Sequence, residues 1–232
     1  MITFIRSVIY EIHFIVCALG FSMVLSVLPQ RFLMAGVRLW MLSIVKGAEI
    51  LCGIKYRVEG MENLPKDRPF IIASNHQSAY ETFLYWLLFN EPAFILKQSL
   101  ARIPFVGWAL LREGCIAIDR KAGMSAMMKT LSGSEKRLKE GQSVIIFPEG
   151  TRVRPGEKVP FHSGIALMYA KLDAPVIPVA VNSANVWGKN SLIKRPGTVT
   201  VKVMPAIPAG LPKKEFLTLL ENTVDAGRRD IG

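Results

Sequence analysis

A histidine and a glutamate stand five positions apart in the segment SNHQSAYETF, residues 74–83. Imidazole groups titrate near neutral pH, so His76 could take a proton from an attacking hydroxyl group. A neighbouring carboxylate, here that of Glu81, would fix the imidazole tautomer and stabilise the imidazolium cation. A simpler interpretation also fits, because Ser78 and Glu81 match the S-x-x-E capping box that begins many helices. That box explains Glu81 but gives His76 no role, so this segment alone leaves both interpretations open.

The segment FPEGTR, residues 147–152, carries groups suited to binding a phosphate. Gly150 would let the backbone come close to a ligand. Thr151 and Arg152 add a hydroxyl group and a guanidinium fork that matches phosphate oxygens. An ordinary turn with a surface arginine is the alternative interpretation of these residues.

Two further segments each contain an apolar run with a notable residue. In the first an arginine follows the run, and in the second a proline lies inside it. GCIAIDR (114–120) ends at Arg120, which leaves the end of a predicted strand. A surface pair between Asp119 and Arg120 is the alternative, and such pairs contribute little stability. APVIPVAVNS (174–183) has Pro178 inside its apolar run. Proline cannot donate to a strand ladder, so this segment is predicted to be an edge or bulged strand.

The elements around these segments predict an α/β fold. Short apolar runs alternate with helical spacing from Tyr56 onward, which indicates a mixed, mostly parallel sheet flanked by helices. Strands are predicted at residues 70–73, 93–96, 115–118, 144–147, 176–181 and 198–203, and helices at 78–89, 122–140 and 164–172. His76, Arg120 and FPEGTR each follow a predicted strand. Loops at the carboxyl ends of strands are where α/β proteins bind ligands.

Residues 1–55 have longer apolar stretches than residues 56–232 and are predicted to form a separate helical segment. Residues 14–28 contain no charge, and residues 32–54 have the pattern of a second helix. No small-residue cleavage site follows the apolar run, which argues against a signal peptide. We expect a retained membrane anchor or an interfacial helix pair with arginines near the lipid headgroups. Two helices that only cover the core are the alternative.

Composition narrows the possible partners. The chain has 29 Lys and Arg against 18 Asp and Glu, a net charge of +11, which favours phosphate esters, anionic lipid, nucleic acid or an acidic carrier protein. No basic stripe is interleaved with aromatic residues, so no nucleic acid partner is expected. The three cysteines and three histidines are scattered, so neither a disulfide framework nor a metal site is expected. A non-enzymatic basic membrane-binding module would explain the charge but not His76 with Glu81.

The four segments, in this order, resemble those of the PlsC-type glycerolipid acyltransferases, and the resemblance covers roughly residues 56–212. The family pattern NHxxxxD corresponds to NHQSAYE, from Asn75 to Glu81. A strand ending in an arginine, then FPEGTR, then a proline-containing strand complete the pattern. Glu81 stands where the family usually has aspartate. Glutamate occurs there in a bacterial subgroup, so we expect Glu81 to serve as a functional substitute with a longer side chain.

The resemblance implies the glycerolipid acyltransferase fold and a reaction. A fatty acyl group would pass from acyl-CoA or acyl carrier protein to the sn-2 hydroxyl of lysophosphatidate, without any other cofactor. A sibling acceptor such as a lyso-ornithine lipid is the alternative. The resemblance also implies a protein of the bacterial inner membrane, on its cytoplasmic face and against anionic lipid.

The same resemblance assigns roles to residues. His76 would be the base and Glu81 its partner, while the substrate hydroxyl is the nucleophile. The phosphate would contact the positions Arg120, Glu149, Gly150, Thr151 and Arg152. Glu149 has no clear contact by this reasoning, and orienting Arg120 is one hypothesis for it. The segment ARIPFVGWALL (101–111) is a candidate wall for the acyl chain, or else an ordinary core helix. His162 receives no role.

Overall fold

The computed structural model describes all 232 residues. Eight α-helices and seven β-strands alternate along the chain, with two short 3-10 turns at 61–63 and 183–185. The helices are α1 (Ile2–Val27), α2 (Gln30–Cys52), α3 (Tyr80–Leu88), α4 (Gln98–Ala101), α5 (Val106–Arg112), α6 (Gly123–Lys139), α7 (Gly164–Lys171) and α8 (Lys213–Ile231). The strands are β1 (Ile54–Glu59), β2 (Ile71–Ser74), β3 (Ala93–Lys97), β4 (Ile116–Ile118), β5 (Val144–Ile146), β6 (Val176–Val181) and β7 (Gly197–Val203).

The seven strands form one sheet in the order β1-β7-β6-β2-β5-β3-β4. Every neighbouring pair is parallel except β6 and β7, so the predicted mixed, mostly parallel sheet is confirmed. The carboxyl ends of β2, β5, β3 and β4 lie side by side at one edge. The segments that follow these four strands therefore converge, as expected for an α/β fold.

Helices cover both faces of this sheet, which explains why its central strands are apolar throughout. Every residue of β2, β5 and β6 is buried. On one face, α2 and α3 pack against the sheet through residues such as Val45, Leu84 and Tyr85. On the other face, α7 and α8 pack through residues such as Met168 and Phe216.

The prediction that VIPVAV is an edge or bulged strand is wrong. β6 lies in the interior of the sheet, between β7 and β2. Pro178 is tolerated there because it faces the end of the antiparallel ladder, where Val179 pairs with Val203. The N–H of Met204 donates to the Pro178 carbonyl at 3.0 Å, and only the reciprocal bond is missing.

Three elements were not predicted from sequence: β1, α8 and the four-residue helix α4. β1 is an edge strand that pairs only with β7, and exposed charged residues such as Lys55 and Arg57 interrupt its apolar pattern. α8 is a 19-residue helix that buries one stripe, including Phe216 and Leu220. The six predicted strands and three predicted helices are all present, with ends that shift by two residues or fewer.

The N-terminal helices α1 and α2 pack against each other and against the rest of the protein. α1 has 26 residues and is long and apolar enough to cross a membrane, by length and composition. Its outward face exposes many large apolar residues: Ile2, Phe4, Ile5, Ile9, Ile12, Ile15, Val16, Leu19, Met23, Val24 and Val27. α2 ends at Cys52, where Gly53 adopts φ 71° as a left-handed cap. Tyr10 lies in the same core cluster as the sheet residues, and the division into 1–55 and 56–232 stays a prediction.

Candidate active site

His76 and Glu81 form a hydrogen-bonded pair at the carboxyl end of β2. Nδ1 of His76 lies 2.8 Å from Oε1 of Glu81. A carboxylate only accepts hydrogen bonds, so Nδ1 carries the proton and Nε2 keeps its lone pair when the ring is neutral. Nε2 makes no hydrogen bond within the protein, and the His76 side chain is 17% exposed. The pair therefore has the geometry of a base with its orienting carboxylate.

Glu81 also binds the backbone at the start of α3, so its carboxylate has a structural contact as well as the one with His76. Oε1 accepts hydrogen bonds from the N–H groups of Gln77 (2.8 Å) and Ser78 (2.7 Å). α3 begins at Tyr80 and has no side-chain cap at Ala79, so Ser78 is not the N-cap residue of a full capping box. The Ser78 hydroxyl only accepts from the Tyr80 N–H, at 3.2 Å.

The environment of Glu81 keeps its carboxylate ionised. Its side chain is fully buried, and burial alone would raise its pKa. The hydrogen bond and charge of His76, with further bonds from Ser183 and the Ser78 N–H, outweigh burial and lower the pKa of Glu81 below its ordinary value. Ser183 Oγ donates to Oε2 at 2.6 Å. A negative charge is thus fixed beside the imidazole.

The FPEGTR segment wraps around His76 and fixes its ring and backbone. The rings of His76 and Phe147 stack, with centroids 4.1 Å apart and planes tilted by 18°. The His76 N–H donates to Oε2 of Glu149 at 2.7 Å, and its carbonyl accepts from the Val153 N–H at 2.7 Å. The His76 segment and the FPEGTR segment therefore build a single site.

Glu149 lies behind His76 and makes no contact with Arg120. Its side chain is 2% exposed, and burial raises its pKa to about 7 despite the hydrogen bond from the His76 N–H. Its nearest cation is Arg228 of α8, with Nη1 3.9 Å from Oε1. Arg120 instead donates from Nη1 to the Gly150 carbonyl. The hypothesis that Glu149 orients Arg120 is therefore without a contact to support it.

Gly150, Thr151 and Arg152 form an open turn beside this pair. Gly150 has φ 67°, in the left-handed region that favours glycine. A Cβ at this position would approach the ring of His162 to 2.8 Å, so His162, for which no role was predicted, lies against the turn. The N–H groups of Thr151 and Arg152 make no hydrogen bond within the protein. These free donors, with two arginines nearby, suit an anion.

Sequence reasoning missed three residues at this edge of the sheet. Lys97 ends β3, which lies between β5 and β4. Ser183 comes two residues after the end of β6. Both could have been found by the rule that singled out Arg120, since each comes after a predicted strand. Lys189, whose Nζ lies 2.9 Å from the Arg152 carbonyl, belongs to a longer loop and carries no such signal.

The segment 101–111 forms the end of α4, a turn and α5. Gly107 and Ala109 are buried, whereas Trp108 and Leu111 are exposed. α5 packs against α1, so this apolar surface adjoins the outward face of α1. Its role as a wall for an acyl chain stays a prediction.

Comparison with known proteins identifies the family. A model of the Acyltransferase family matches residues 55–182, more than half of the chain. The chain belongs to the acyltransferase family. The matched region contains His76, Glu81, Arg120 and the whole FPEGTR segment.

Several relatives share this region. The 1-acyl-sn-glycerol-3-phosphate acyltransferase of Pseudomonas aeruginosa is 39% identical over 160 residues, 69% of this chain and 62% of that protein. The protein of the same name from Borreliella burgdorferi is 38% identical over 159 residues, 68% of this chain and 63% of that protein. The chain thus spans less than two thirds of the length of these curated relatives.

A solved structure matches nearly the whole fold. The crystal structure of the 1-acyl-sn-glycerophosphate acyltransferase PlsC from Thermotoga maritima superposes with a TM-score of 0.78 and 27% identity. The match covers 97% of this chain and 96% of that one, so it includes the N-terminal helices as well as the sheet.

Proposed function

We propose that this protein is a 1-acyl-sn-glycerol-3-phosphate acyltransferase. It would move a fatty acyl group from acyl-CoA or acyl carrier protein to the sn-2 hydroxyl of lysophosphatidate, giving phosphatidate. The observation that carries the proposal is the 2.8 Å bond between His76 Nδ1 and Glu81, which leaves Nε2 free to take a proton. The names of the relatives from Pseudomonas and Thermotoga support the choice of acceptor.

The chemistry requires one base and no enzyme nucleophile. Nε2 of His76 takes the proton of the acceptor hydroxyl as its oxygen attacks the thioester carbonyl carbon. The tetrahedral intermediate then collapses, the C–S bond breaks, and the departing thiolate receives the proton from Nε2. Glu81 stabilises the imidazolium between these steps, since its carboxylate stays ionised.

The acceptor phosphate would bind at the 150–152 turn. The guanidinium groups of Arg120 and Arg152 supply positive charge, and the free N–H groups of Thr151 and Arg152 supply donors. The turn and the His76 ring are joined through Phe147 and Glu149. A phosphate bound at the turn would therefore lie on the same segment that contacts the ring and backbone of the base.

We propose an interfacial arrangement of the N-terminal helices on the cytoplasmic face of a bacterial inner membrane. α1 contacts the rest of the protein at Glu11, which pairs with Lys194, and at its C-terminal end, where Arg112 donates to the carbonyls of Leu25 and Leu28. Glu11 and Leu25 are about 21 Å apart along the helix. Because these contacts hold the helix against the rest of the protein, an arrangement in the headgroup region is favoured over one that crosses the bilayer. The net charge of +11 would attract anionic lipid.

Purified protein in detergent tests the reaction. The protein is offered lysophosphatidate with acyl-CoA or with acyl carrier protein, and the product is identified by mass spectrometry. Lyso-ornithine lipid is offered in parallel, and the variant His76→Ala serves as the matched control. Phosphatidate formed by wild type but not by the variant supports the proposal. Exclusive acylation of the ornithine lipid, or more than about a tenth of wild-type activity in the variant, contradicts it.

A further inference from the structure

The connection between β6 and β7 forms a loop that reaches the 150–152 turn. We call it the 186–195 loop, because the Arg195 N–H donates to the Val186 carbonyl at 2.8 Å and closes it. The loop lies beyond residue 182, where the match to the acyltransferase family model ends. The loop itself is therefore not part of the four segments described above.

The base of the 186–195 loop is fixed on α1. Lys194 is only 1% exposed, and its ammonium pairs with the Glu11 carboxylate. Its charge lies 4.9 Å from the centre of the Trp187 ring, and its N–H donates to Ser7 Oγ at 2.9 Å. A buried lysine is costly unless it is paired in this way. Tyr10 adds an edge contact to Trp187, with ring centroids 5.5 Å apart.

The tip of the 186–195 loop presents Lys189 to the turn. Nζ donates to the Arg152 carbonyl at 2.9 Å and lies 3.4 Å from Thr151 Oγ1. An ammonium has three N–H donors, so at least one stays available after these contacts. The side chain is exposed, and the free N–H groups of Thr151 and Arg152 lie beside it. Lys189 therefore contacts residues 151 and 152 of the turn, while Arg120 contacts the carbonyl of Gly150.

We propose that Lys189 is a further specificity-determining residue that contacts the phosphate of the acceptor. This inference rests on the proposed function, because it takes the acceptor to be a lysophospholipid. A phosphate monoester carries close to two negative charges at neutral pH, whereas a diester carries one. A third cation beside Arg120 and Arg152 favours the monoester, so Lys189 selects lysophosphatidate over lysophospholipids whose phosphate bears a headgroup.

Steady-state kinetics separate this role from mere support of the turn. Lys189→Ala should raise the KM for lysophosphatidate about tenfold or more, as expected for a lost charge-assisted bond. The KM for the acyl donor should change less than twofold, and Lys189→Arg should restore most of the acceptor affinity. Lys171→Ala is the matched control, because that exposed lysine precedes β6 at the opposite edge of the sheet.

A binding measurement makes the test independent of turnover. Wild-type protein is acetylated with a lysine-reactive reagent, and each lysine is quantified by mass spectrometry. Lysophosphatidate micelles should slow labelling of Lys189 at least threefold more than lysophosphatidylcholine micelles do, while Lys171 is labelled equally in both.

The combined outcomes distinguish the two proposals. Protection of Lys189 without acyl transfer overturns the proposed function and leaves Lys189 as a phosphate ligand. Acyl transfer with no protection and an unchanged acceptor KM in Lys189→Ala overturns this inference alone. Equal increases of both KM values in Lys189→Ala also overturn it, since they indicate a general distortion of the site.

Discussion

The backbone N–H of His76 donates to the Glu149 carboxylate at 2.7 Å, across 73 residues of sequence. Glutamine at 149 keeps an acceptor for this N–H, whereas alanine leaves it buried and unpaired, which costs about 1–3 kcal/mol. We expect Glu149→Gln to retain turnover within about tenfold of wild type and Glu149→Ala to lose about 100-fold or more, because His76 shifts. Steady-state rates of both variants check this. Equal activity of the two variants would show that the bond has no part in placing His76.

Arg152 is half-buried and its side chain makes no hydrogen bond within the protein, so we expect its replacement to leave the core intact. If its guanidinium binds the acceptor phosphate, Arg152→Ala should raise the KM for lysophosphatidate about tenfold and leave the KM for the acyl donor within twofold. Arg120→Ala should act in the same direction. A rise confined to the acyl donor would move both arginines to the donor side of the site.

Glu113 is a buried carboxyl group whose Oε1 has no hydrogen-bond partner. Burial raises its pKa to about 8. The folded state therefore binds more protons than the unfolded state above the ordinary carboxyl pKa, and stability falls as the pH rises toward 8. Relative to wild type, Glu113→Gln should gain up to about 1.4 kcal/mol of unfolding free energy per pH unit between pH 5 and 8. Urea unfolding followed by circular dichroism measures this. If the unfolding free energies of wild type and Glu113→Gln change with pH in parallel, Glu113 is not the group responsible.

The outward face of α1 offers a cleaner membrane test than deletion of the helix. Removing residues 1–30 would expose core contacts of Tyr10 and the Glu11–Lys194 pair. The triple variant Ile12→Gln, Val16→Gln and Leu19→Gln changes only exposed positions and should keep the fold. In flotation assays the variant should move from anionic vesicles to the soluble fraction, because it loses apolar area that would otherwise be buried in the membrane. Unchanged flotation would place the membrane contact elsewhere.

The sequence was sufficient to predict six of the seven strands, and the family resemblance added the His76–Glu81 pair, for which the residues alone left a capping interpretation open. Apolar runs mark the strands, and the five-residue spacing across one strand-to-helix turn brings the two side chains together. The contact partners of Ser183 and Arg228 could not be predicted in this way, although Ser183 itself comes after a predicted strand. Their contacts with Glu81 and Glu149 depend on chain crossovers, which one sequence without the fold does not specify. The interior position of β6 was missed for the same reason, since strand order decides whether Pro178 is tolerated.

Glu81 provides the sharpest test because one carboxylate has both a structural and a chemical role. Oε1 accepts three hydrogen bonds, from His76, Gln77 and Ser78, and Oε2 accepts one from Ser183. Glutamine can keep all four contacts if its amide donates to the Ser183 hydroxyl, which can accept. Glu81→Gln should therefore change the unfolding free energy by about 0.5 kcal/mol or less.

The chemistry should respond differently, because an amide cannot stabilise the imidazolium. We expect Glu81→Gln to lower kcat about 100-fold or more, and Glu81→Asp to keep measurable activity. Ser183→Ala is the matched control, since it removes one bond to the same carboxylate but leaves the charge, and it should cost far less turnover. If Glu81→Gln is folded and fully active, Glu81 only supports the start of α3 and His76 needs no negative partner. If the urea midpoint shows that Glu81→Gln is unfolded, Glu81→Asp decides instead: measurable activity of this variant supports the pair, and a folded but inactive Glu81→Asp contradicts it.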